Sequence, residues 1–161
     1  MVEKNSAKYD SLLYLYSVLK RLGGGDVNTF EQWLKSQKIQ YLAQLFGVSL
    51  RYQYNLYIRG PYSPALAHDL YQIKEVNIKP MLDRFIPDEL EKRLNDMQTF
   101  IKDMSARQLE IVVTLHWLTK VAALPRDRAV ARLKEWKQTD DNELKYALNK
   151  LENYAKIKAS Y

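Results

Sequence analysis

KSQKIQYLAQLFGVSLRYQYNLYIRGPYSPALAHDL, residues 35–70, decides the fold. Its middle alternates: Tyr52, Tyr54, Leu56 and Ile58 point one way, and Arg51, Gln53, Asn55, Tyr57 and Arg59 the other. Period two in aromatic and branched side chains predicts a half-buried strand. Gly60 and Pro61 are expected to end it, because proline has no N–H for a ladder and glycine tolerates backbone angles other residues resist. Ser63 then offers an N-cap hydroxyl and Pro64 a first helical residue whose missing N–H costs nothing, so a helix is expected over 64–76 with Leu66, Leu70 and Ile73 inward.

Helices surround this stretch on both sides. Leu12, Leu15, Leu19 and Leu22 repeat at helical spacing over 7–22, and Gly23, Gly24 and Gly25 stop that helix. Thr29 and Gln32 have capping-box spacing at the head of the next, which carries Phe30, Trp33, Leu34, Tyr41, Leu42 and Leu45 to Gly47, with a break allowed near Ser36. Pro80 and Pro87 bracket a short turn over 81–86. Pro87 opens a helix with Leu90, Leu94, Met97, Ile101 and Met104 at four-three spacing, read either as core or as a partner seam. Ser105 and Gln108 cap a nearly all-apolar, hence buried, helix that Pro125 ends. Asp127 is expected to cap a short helix bearing Val130, Leu133 and Trp136. Asp140 and Glu143 cap the last, with Leu144, Leu148, Leu151 and Ala155 on one face.

At 161 residues the chain has room for one domain with its own core. It has no cysteine, which excludes disulfides and thiolate metal sites. Without a signal-peptide pattern or a bilayer-length apolar run, a soluble cytoplasmic protein with no membrane partner is expected. The net charge of +6 is unevenly placed. Residues 31–79 carry six positive and three negative charges and residues 120–137 six and two, whereas 80–119 carry five and seven. That bias favours a polyanion partner, although charge runs are more often solvated faces.

The order Gln37-Lys38, Tyr41, Ala43, an aromatic-rich strand, Gly60-Pro61-Tyr62-Ser63 and a helix from Leu66 to Leu70 resembles the YwgA-type family of uncharacterised prokaryotic proteins. More distantly it is similar to the Panacea antitoxin domains. The likeness covers about a quarter of the chain, residues 35–70, with weaker echoes over 109–118 and 129–148. It implies a mainly α, winged-helix-like fold and a regulatory or antitoxin role, with no established activity for the YwgA-type proteins. One departure stands out: Gln40 occupies a place where the family has a large aliphatic residue. The fold class expected is therefore mainly α. A winged-helix-like part over 1–79 carries one short strand or hairpin, and a C-terminal helical bundle over 80–161 supports it within a single domain.

The search for chemistry yields little. His116 lies in the buried helix, where a hydrogen-bonded core histidine is the ordinary occupant. His68 and Asp69 are sequence neighbours about 100 degrees apart on a helix, which gives no oriented acid–base pair. No nucleophile, metal or phosphate-loop motif appears, so a noncatalytic protein without cofactors is expected. In one reading the helix over 29–46 presents Lys35, Lys38 and Gln40 to duplex DNA. Arg51 and Arg59 then contact the backbone, and Tyr57 and Tyr62 pack on sugar or base. Against that, Tyr62 beside Gly60, Pro61 and Ser63 reads more simply as pinning a structural turn. In the second reading the outward aromatics and the seam from Leu90 to Met104 bind a partner protein, such as a toxin or a second copy. Single-stranded RNA is a weaker variant resting on the basic and aromatic alternation of residues 51–59.

Overall fold

The computed structural model describes residues 2–4, 6–48, 51–80 and 86–161. They form a mainly helical protein with one small antiparallel hairpin: α1 (Ala7–Arg21), α2 (Phe30–Leu45), β1 (Asn55–Tyr57), β2 (Gly60–Tyr62), α3 (Pro64–Val76), α4 (Glu91–Ile101), α5 (Ala106–His116), α6 (Arg126–Lys137) and α7 (Asp141–Ala159). The turn expected over 81–86 falls, but for Ile86, outside the described residues.

Local chemistry explains most boundaries. Ser63 Oγ accepts from the Leu66 N–H and Pro64 opens α3, which buries Leu66, Leu70 and Ile73 as its spacing predicts. Complete capping boxes start α2 (Thr29 with Gln32), α5 (Ser105 with Gln108) and α7 (Asp140 with Glu143). α2 runs unbroken through Ser36, which is buried and donates no kink; its hydroxyl instead accepts from the Gly25 N–H at 2.9 Å and so fixes the glycine turn after α1.

α5 is the central element, packed against α2, α6, α7 and β2. Every residue from Leu109 to His116 is buried on it. At its end the backbone widens into a π-helical turn, Trp117–Val121, in which the Ala122 N–H reaches the Trp117 carbonyl at 2.9 Å. The helix thus stops short of Pro125, which instead stands at the head of α6; Asp127, expected as that helix's cap, lies in its first turn and caps nothing.

One open reading is decided and one expectation is corrected. The Leu90 to Met104 seam is interior: Leu94, Met97 and Met104 are buried, and Leu90 and Ile101 pack partly buried against the same core. Burial of Phe100 beside Phe46 and Tyr154 completes that side. The strand is also shorter and placed differently. Its alternation holds from Arg51 to Tyr57, but Ile58 is 79% exposed at the hairpin tip, and Gly60 and Pro61 lie within β2 opposite Tyr57 and Leu56. The turn is Ile58 and Arg59, one step earlier than the Gly-Pro pair; a proline fits β2 because its missing donor falls on an edge strand.

Candidate functional site: the anchored hairpin and its groove

The extended segment from Tyr52 to Ser63 is held by polar side chains of α2. Gln44 accepts from the Tyr52 N–H at 2.8 Å and donates to the Tyr52 carbonyl at 3.1 Å. Two turns earlier, Gln37 does the same to Ser63, at 2.9 Å in both directions. Each amide replaces a neighbouring strand for one residue, satisfying backbone groups that burial would otherwise leave without partners. Gln40, fully buried between them, donates to Gln44 Oε1 at 3.3 Å and helps orient it.

Two lysines hold the hairpin itself. Lys38 Nζ donates to the Pro61 carbonyl at 2.8 Å, and Lys137 Nζ, from the end of α6, donates to the Ile58 carbonyl at 2.5 Å. Glu110 on α5 supplies the counter-charge, 3.2 Å from Lys137 Nζ and 3.1 Å from Arg59 Nε. Burial lowers the Lys38 pKa to about 8; Glu110 opposes that shift, and the charges of Lys137 and Arg59 add to it. Burial also lowers the pKa of Lys137, again with Glu110 opposing. Gly60 adopts φ +92, and a Cβ there would stand 2.7 Å from Thr114 Oγ1 and 3.2 Å from Lys38 Nζ, so glycine is required by both angle and space.

Lys38 and Gln40 therefore do not reach solvent, and neither can touch a nucleic acid as the sequence reading supposed. Lys35 and Arg59 line one small cleft with Glu31 and Glu110, a surface of mixed rather than positive sign. Arg51 is exposed beside Tyr52, near the opposite end of α2, and does not join them. Tyr62 meets the Trp33 indole N–H at 3.4 Å and the Tyr57 ring edge-on at 5.5 Å between centroids, so it serves the hairpin as the simpler reading expected. His116 is a core histidine: its Nδ1 lies 2.7 Å from the Tyr41 hydroxyl, and Tyr41 packs edge-on against Tyr54.

Next to the Lys38 anchor, the hairpin tip and the start of α2 enclose a largely apolar groove of about 510 Å³, bordered by Val27, Phe30, Trp33, Leu34, Tyr57 and Ile58. Phe30 is 65% exposed and Tyr57 46%. Arg59 lies 6.0 Å from the Phe30 ring centroid, stacking a cation over the rim. Sequence reading placed Phe30 on the inner stripe of α2 and Ile58 on the inner face of the strand. The signal for the groove, apolar residues at a helix's first turn and at a hairpin tip, has no periodicity and emerges only when the fold brings the two together.

Compared with protein-family models, curated proteins and solved structures, the chain matches none of them.

Proposed function

We propose that this chain is a noncatalytic regulatory protein, winged-helix-like in its N-terminal part, that acts by binding a partner protein in an antitoxin-like manner through the groove at its hairpin tip. The observation that carries this reading is the grouping of Phe30, Tyr57 and Ile58, three of the large apolar side chains most exposed to solvent, around one concave apolar surface. Aromatic anchors in a concave patch with a stacked arginine at the rim are what a protein interface needs. Two polar residues that the DNA reading required, Lys38 and Gln40, are spent on the scaffold.

Duplex DNA is the second reading, favoured by one observation: Lys35 and exposed Arg51 have no carboxylate partner among the described residues, within a chain of net charge +6. Photo-crosslinking separates the two. A benzophenone amino acid at Phe30 is expected to give discrete cross-linked protein products in the native host. The same group at Asn153, an exposed α7 residue at the far end of α2 where Tyr154 bonds the Leu45 carbonyl at 3.1 Å, should give none. Identical patterns from both positions, or no product from Phe30, would count against the groove. Salt-steep duplex binding abolished by Lys35→Ala with Arg51→Ala would establish the DNA reading in its place.

A further inference from the structure

A second concavity, of about 990 Å³, lies between the end of α5 with its π-helical turn and the C-terminal half of α7. It shares no residue with the hairpin groove. Leu124, Leu148 and Leu151 give it an apolar wall, and Lys120, Arg126 and Lys158 stand around it. None of these three cations is ion-paired among the described residues; the one acid at the groove, Glu152, faces Lys156 at 3.9 Å. Lys120 and Lys158 both border this concavity together with His116. Burial first, then these two positive charges, lower the His116 pKa to about 4. The other groups facing His116 are the uncharged hydroxyl of Tyr41 and the ring of Tyr154. Lys120 sits within the π-helical turn, the kind of helix irregularity that recurs where a ligand is held.

Uncompensated positive charge beside a leucine wall asks for a ligand with one anionic end and one apolar end. From Leu148 to Lys158 the wall and the cation lie along one helix, spanning roughly 15 Å at 1.5 Å per residue, the reach of a medium-length alkyl chain. We propose that this groove binds a free single-chain anionic amphiphile, its carboxylate between Lys120 and Lys158 and its chain over Leu124, Leu148 and Leu151. Both ends of the ligand contribute. The anion relieves repulsion between cations, and the chain leaves water.

Sodium dodecanoate, kept below its micelle concentration, is the probe, titrated calorimetrically into the full chain with butyrate as the short-chain comparison. Saturable one-to-one binding is expected, at least tenfold tighter than butyrate and weakened at least tenfold in the Lys120→Ala, Lys158→Ala double variant. A readout on the unaltered chain stands beside it: by NMR, bound dodecanoate should raise the His116 pKa and shift its ring resonances while leaving those of exposed His68 in place. Binding no tighter than butyrate, binding undiminished in a folded double variant, or equal shifts at both histidines would overturn the assignment.

Discussion

The two sides of the hairpin are built on opposite principles. Toward α2, α5 and α6 it is fastened by Gln37, Lys38, Lys137 and Glu110, polar groups withdrawn from water and matched to specific backbone atoms. At its tip, Ile58 faces solvent and Tyr57, packed edge-on against Tyr62, is half exposed, with Phe30 lining the same groove. The usual placement of polar and apolar residues is reversed between the two. Buried polar groups here specify where the hairpin sits, since a backbone carbonyl left unpaired in the interior costs more than the hydrogen bond returns. Exposed apolar groups at the tip contribute little to folding, which leaves them free for the partner contact proposed above.

The comparison breaks most visibly at Glu110. Glu110→Ala leaves Lys137 buried without its counter-charge, and a loss of about 4 kcal/mol is expected by urea denaturation. Pairing it with Lys137→Met should recover much of that loss, because the stranded charge is then gone as well.

Acid should strain the anchored side next. The folded His116 pKa of about 4 lies below the ordinary 6.5, so between those values the unfolded chain takes up a proton that the folded chain refuses. Stability present above pH 6.5 is therefore lost as the pH falls toward 4, by about 3 kcal/mol for the full shift. His116→Gln, which keeps an acceptor for Tyr41, should flatten that limb of a stability–pH curve.

Gln37→Leu removes both bonds to buried Ser63 and is expected to cost about 2 kcal/mol. The smallest effect belongs to the free side: Ile58→Ala should change stability by less than about 0.5 kcal/mol, since the residue is 79% exposed. Cross-linking from Phe30 should nonetheless fall in that variant, where loss of a rim residue weakens the contact.

Much of the helical frame was legible because its signals are local. Ser63 before Pro64, and the pairs Thr29 with Gln32, Ser105 with Gln108 and Asp140 with Glu143, act within one turn and need no distant partner. Lys38 and Gln40 were misread because polar residues on a helix are by default assigned to water. α2 buries every residue from Ser36 to Ala43, polar and apolar alike, and what makes that tolerable is the distant Pro61 carbonyl for Lys38 and the Gln44 amide one turn on for Gln40. A usable hint existed: Gln37, Lys38, Gln40 and Gln44 interleave with Ile39, Tyr41 and Ala43 and leave no polar face, which is the pattern of a helix enclosed on all sides. The Gln37-Lys38 and Gly60-Pro61-Tyr62-Ser63 motifs, far apart in sequence, bond to each other and form one device.

The most direct test is a single urea-denaturation series on wild type, Gln37→Leu, Lys38→Met, Phe30→Ala and Ile58→Ala. The Gln37 and Lys38 variants should unfold at clearly lower urea and the Phe30 and Ile58 variants should overlay wild type, separating scaffold from contact surface. Equal losses at all four positions, or unchanged midpoints for Gln37→Leu and Lys38→Met, would contradict the division of labour proposed for the two sides of the hairpin.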